Sequence, residues 1–66
     1  MKVSVVYQGK KQAIEIGEKP TVRDLLIAMK INPEIVLVAR NGEIVPETEK
    51  ISGKDTIEII RTISGG

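Results

Sequence analysis

The sequence contains no cysteine, histidine, phenylalanine or tryptophan, and Tyr7 is its only aromatic residue. Without thiols there is no disulfide and no cysteine nucleophile. Without imidazole there is no His metal ligand and no side chain that titrates near neutrality in an ordinary environment. Aromatic platforms for stacking bases are missing too, which argues against a nucleic-acid partner. Ten Lys+Arg stand against nine Asp+Glu, a net charge of +1, so no excess of one sign draws the chain to a polyanion or an acidic membrane. No apolar run approaches the ~20 residues of a membrane-spanning helix, and the first residues carry no signal-peptide pattern, so the cytoplasm is the expected compartment. The chain is a poor candidate for an enzyme acting alone.

What is present is aliphatic. Of the 66 residues 41% are hydrophobic, mainly Ile and Val, whose β-branched side chains suit strands packed on one another or on a helix. The length allows one domain, expected as a monomer over residues 1–63, followed by a short flexible tail at 64–66. Val3, Val5 and Tyr7 alternate in a first strand, Lys2–Tyr7. Gln8-Gly9-Lys10 turns into a second strand with Ile14 and Ile16 on one face. The period then changes: Val22, Leu25, Leu26 and Met29 form the stripe of an amphipathic helix within Thr21–Lys30, capped by Thr21 with Asp24 and stopped by Asn32-Pro33.

The run Ile35–Arg40 is apolar at consecutive positions and reads as a central strand. Asn41-Gly42 predicts a type I′ hairpin into the short strand Glu43–Val45. The polar stretch 47–55, with Gly53 at a bend, precedes a last strand, Thr56–Ile63, whose Ile57 and Ile59 face the core. Glu47, Glu49 and Asp55 in that stretch lack the spacing of a calcium loop and read as solvated. The order of elements predicts an α+β fold, a β-grasp roll with one helix across a mixed sheet of four to five strands.

The last strand runs into Ser64-Gly65-Gly66. Glycine admits another protein's backbone at close range and leaves the Gly66 carboxylate sterically bare, and Ile63–Gly66 reach at most ~13 Å when extended. No residue of the chain is placed to activate that carboxylate, so activation would come from a partner. The residues alone are equally compatible with an end that merely finishes in glycine.

The length, the central VARNGEIVPE, the approach GKDTIEIIR and the terminal ISGG together resemble the ubiquitin-like sulfur carriers. The likeness is nearest to the thiamine-biosynthesis carrier ThiS, with MoaD and the archaeal small modifier proteins as close relatives. It spans the whole chain and departs from many thiamine carriers at Ser64, where alanine is common. It implies that a ubiquitin-activating-type enzyme, using ATP and Mg²⁺ that the carrier itself does not bind, adenylates Gly66. A sulfur donor such as a persulfide then converts the acyl-adenylate to a thiocarboxylate. The sulfur passes to an acceptor enzyme, for the thiazole of thiamine, the dithiolene of molybdopterin or a thiolated tRNA base. In the modifier branch the same carboxylate is joined to a lysine.

Parity suggests where such partners dock. With Ile57 and Ile59 inward, Glu58, Ile60 and Thr62 point outward. If Arg40 faces solvent, Val36 and Val38 share its face. These two with Ile60 would then form an apolar patch on the open side of the sheet, ringed by Arg40 and Arg61 and leading through Thr62, Ile63 and Ser64 to Gly65-Gly66. A one-residue shift of register would invert the assignment.

Overall fold

The computed structural model describes residues 1–62. The end of the expected last strand at Ile63 and the tail at 64–66 lie outside the described residues. Five strands, β1 (Lys2–Tyr7), β2 (Lys10–Glu15), β3 (Val36–Arg40), β4 (Glu43–Val45) and β5 (Thr56–Arg61), form one sheet in the order β2-β1-β5-β3-β4. The last strand lies at the centre, parallel to β1 and antiparallel to β3. One helix, α1 (Val22–Ala28), covers one side. This is the β-grasp arrangement expected from the order of elements.

Both hairpins turn on two residues with positive φ, Gln8 (52°) with Gly9 (77°) and Asn41 (52°) with Gly42 (89°). That combination defines the type I′ turn, whose twist matches the flanking strands. Asn41 also ties its hairpin to the sheet centre. Its backbone N–H donates to the Thr56 carbonyl (2.9 Å), and its side-chain oxygen accepts from the Thr56 N–H (2.9 Å).

The helix starts as expected and ends earlier. Thr21 and Asp24 close a reciprocal capping box at 3.2 and 2.9 Å. The remaining N–H groups of the first turn are met by a loop: Val22 donates to the Glu49 carbonyl and Arg23 to the Glu47 carbonyl, both at 2.9 Å. At the other end the stop is not Asn32-Pro33 but Lys30, in the left-handed conformation at φ 60°. Lys30 donates to Ile27 O and Ile31 to Leu26 O, the bond pair of a Schellman motif, and the buried Ile31 supplies its apolar contact. Asn32 instead caps a 3₁₀ turn, Pro33–Ile35, by accepting from the Glu34 N–H at 2.9 Å. Ile35 therefore belongs to that turn rather than to the strand.

The core lies between helix and sheet. Val3 and Val5 of β1, Ile57 and Ile59 of β5, and Val36 and Val38 of β3 pack against Val22, Leu25 and Leu26. Fully burying such side chains stabilises by about 1.5–3 kcal/mol each, which holds a seven-residue helix that propensity alone would not. Ile51 is also buried, a core residue concealed in the polar stretch between β4 and β5. At Gly53 an added Cβ would stand 3.1 Å from the Lys2 carbonyl oxygen, so the close pass of this loop over β1 leaves little room for a side chain.

Candidate functional site

The helix covers one face of the sheet and leaves the other open. On the open face Leu37 of β3 stands opposite Ile60 of β5, and Ala39 of β3 lies between Glu58 of β5 and Ile44 of β4. Directly opposed side chains have Cβ atoms about 4.5–5.5 Å apart, so Leu37, Ala39, Ile44 and Ile60 make one surface. Leu37, Ile44 and Ile60 are 47%, 57% and 40% exposed, and three of the five large exposed hydrophobics among the described residues thus fall on this face. Clustered exposed aliphatics of this kind mark interaction sites, whereas scattered ones do not. Beside the apolar ridge the open face of β1 and β2 carries a shallow hollow of about 380 Å³, with Ser4, Val6, Lys11, Ala13 and Thr56 in its lining.

This corrects the patch inferred from parity. Val36 and Val38 are buried in the core (8% and 4% exposed) and cannot line an open surface. The inversion traces to Arg40, which shares their face, pairing with Ile57, yet reaches water from the end of its strand. Its Nη1 donates to the Lys50 carbonyl and pairs with Glu49 Oε2, each at 2.9 Å, so a charged tip leaves the core side at the rim. Arg61 stands opposite Val36 and so on the helix side as well, exposed at the end of β5. Ile60 occupies the open face as expected, and Leu37 and Ile44 join it in place of the two valines. Counting inward from Ile59, opposite Val38, and from Val45, also opposite Val38, would have placed them.

Thr62, the last described residue, continues beyond β5. Its N–H and its hydroxyl both donate to the carbonyl of Ile35, at 3.0 and 3.1 Å. Ile63, Ser64, Gly65 and Gly66 lie outside the described residues.

Three carboxylates of the loop between β4 and β5 are committed to structure. Glu47 pairs with Arg23 at 3.9 Å and Glu49 with Arg40, so these carboxylates serve the loop that caps the helix. The Ser52 N–H and the Asn41 side-chain amide, donating to Asp55 at 2.9 and 3.0 Å, hold its carboxyl below the usual range. Among the described residues no group of three or more Asp or Glu could hold a metal ion, and no polar side chain is buried. None of the described helices is long and apolar enough to cross a membrane. What the described surface offers is a cluster of exposed aliphatic side chains on the open face of the sheet.

The family model described as the ThiS family matches residues 4–66. The sulfur carrier protein TtuB of Thermus thermophilus is 30% identical over 66 residues, covering all of both chains. Among solved structures, the thiamine biosynthesis protein ThiS from Geobacter metallireducens is 26% identical, with a TM-score of 0.67 over 97% of this chain and 100% of that one. SAMP1 from Haloferax volcanii covers both chains fully with a TM-score of 0.76 at 18% identity, a likeness of fold. The chain belongs to the ThiS family.

Proposed function

We propose that this protein is a sulfur carrier whose working group is the α-carboxylate of Gly66. One observation carries the reading: the family match runs through Gly65-Gly66 to residue 66, a few residues past the hydrogen bonds that hold Thr62. A carboxylate is a poor electrophile. Transfer of AMP from ATP, with release of pyrophosphate, gives Gly66 a good leaving group. The terminal sulfur of a persulfide donor then displaces AMP to form an acyl disulfide, and a thiol of the donor system cleaves the S–S bond, leaving the thiocarboxylate on Gly66 and a disulfide on the donor. ATP and Mg²⁺ belong to the partner, a ubiquitin-activating-type adenylating enzyme, and the carrier is its co-substrate rather than a catalyst. ATP-dependent activation of this kind is cytoplasmic chemistry.

The open face supplies the docking surface. Leu37, Ile44 and Ile60 seat the carrier against the activating enzyme, while Gly65-Gly66 enter its catalytic cleft, and the acceptor enzyme uses the same face in turn. Family membership favours the thiazole of thiamine as the destination of the sulfur. Removing Gly66 tests the reading. The truncated chain keeps the wild-type melting temperature and loses ATP–pyrophosphate exchange with the activating enzyme, and full retention of exchange refutes the proposal.

A further inference from the structure

The sheet ends on one side at a long, exposed strand. β2 is an edge of the sheet, and Lys10, Lys11, Gln12, Ala13 and Glu15 along it are exposed. Met1 and Ile16 exchange both of their backbone bonds at 2.9 Å, so by the antiparallel alternation Ile14, Gln12 and Lys10 also bond towards β1. The N–H and C=O groups of Lys11, Ala13 and Glu15 therefore point away from the sheet. The side chains of the same three residues lie on the open face, in register with Val6, Ser4 and Lys2. An edge of this kind is a template for another strand, and lysines on it usually deter pairing.

We propose that β2 pairs with β2 of a second copy of this chain, antiparallel, about a two-fold axis through Ala13. In that register Ala13 faces Ala13 of the copy, and Lys11 faces Glu15 of the copy at both ends. Every outward N–H and C=O of Lys11, Ala13 and Glu15 then has a partner, because residues opposed in a bonded pair exchange both bonds. The side chains match as well, with opposite charges facing at each end and two methyl groups at the axis. Moving the axis to Gln12 or Ile14 loses a pair of hydrogen bonds and both charge matches. Moving it to Lys11 or Glu15 sets like charges opposite each other. Lys11 has no ion-pair partner among the described residues, and Glu15 holds the Met1 ammonium through Oε2, which leaves its other oxygen for the copy. The lysine thus restricts the edge to one register rather than closing it. The joined sheets keep both helices on one side, and Leu37, Ile44 and Ile60 stay uncovered on the strands away from the axis. The proposal is independent of the carrier reading, and the monomer expected from the sequence is the dilute form.

Two six-residue edges make a small interface of the transient class, so the dissociation constant is roughly 0.1–1 mM. Sedimentation equilibrium of the full chain from about 20 µM to about 3 mM reads it. Ala13→Pro removes an N–H that the β1–β2 ladder does not use, so the variant keeps its fold and self-associates at least about tenfold more weakly. Lys11→Glu and Glu15→Lys, each alone, bring like charges together and weaken self-association about 5- to 30-fold. Mixed, these two variants match charge at both ends and form a heterodimer of wild-type affinity. Mixing Lys10→Glu with Glu15→Lys combines the same charges, but residue 10 lies on the helix side, and that mixture gains nothing over Lys10→Glu alone. Recovery on mixing is a result that loss of stability cannot produce, so the charge exchange decides the matter even if Ala13→Pro does not fold. A wild-type chain that stays monomeric to about 3 mM overturns the proposal. So does a folded Ala13→Pro that associates as wild type does, or a pair of charge variants that gains nothing on mixing.

Discussion

Replacing Ile44 by lysine separates the open face from every other part of the surface. Ile44 is 57% exposed on the edge strand β4, so it contributes little to folding, and lysine is a residue that sheet edges accept. Full burial of an isoleucine is favourable by about 1.5–3 kcal/mol, and the exposed fraction of Ile44 leaves roughly 1–2 kcal/mol for a partner to gain by covering it. Lysine forfeits that gain, which raises KM for the activating enzyme about 5- to 30-fold while kcat at saturation is unchanged. Ile27 provides the control. It is 60% exposed on α1, on the opposite side of the molecule, so Ile27→Lys changes the same residue type at similar exposure away from the docking face. Steady-state exchange kinetics and a thermal melt of each variant decide the matter. If Ile44→Lys binds as wild type does, or if Ile27→Lys weakens binding as much, the assignment of the open face is refuted.

Three further predictions concern the scaffold. Thr21→Ala removes one half of the capping box and lowers stability by about 1 kcal/mol, read from the urea midpoint at unchanged slope. Lys30→Gly relieves the left-handed strain at the helix end and raises stability by about 0.5–1 kcal/mol in the same measurement; a loss would contradict the Schellman assignment. The lowered pKa of Asp55 contributes stability that is present above the unfolded carboxyl's value of about 4 and is lost as pH falls through the lower folded value. Asp55→Asn is therefore less stable than wild type at neutral pH, and the gap narrows in acid. A gap that widens in acid would show that the sign is wrong.

The elements that proved legible in the sequence are those with local causes. Asn41-Gly42 announces a type I′ turn because few other residue pairs tolerate positive φ at both positions, Gly9 announces a turn at Gln8-Gly9-Lys10, and the Val22-Leu25-Leu26 stripe announces a helix that buries one side. The failures share a different cause. Val36, Leu37, Val38 and Ala39 are apolar without a break, so alternation cannot say which face of β3 meets the helix. Arg40 then misdirects the choice, because a long side chain at a strand end reaches water from the core side. Among the described residues no second layer covers the strand's other apolar face, and that face is the candidate docking site. Lys30 ends the helix through a conformation that glycine usually takes, and Ile51 is buried by a loop whose composition is polar. In each case a tertiary contact overrides the local signal.

The central claim is that chemistry occurs at the carboxylate of Gly66, and the sulfur itself can be located. Incubation with the activating enzyme, ATP, Mg²⁺ and a persulfide donor, capture with a thiol-selective alkylating reagent and cleavage after Arg61 yield a C-terminal peptide, residues 62–66, for mass analysis. The account predicts an alkylated thiocarboxylate at Gly66 in this peptide, dependent on ATP and absent when Gly66 is deleted. Sulfur found on any other residue, or a Gly66 carboxylate that keeps both oxygens while the enzyme turns over its nucleotide, would contradict it.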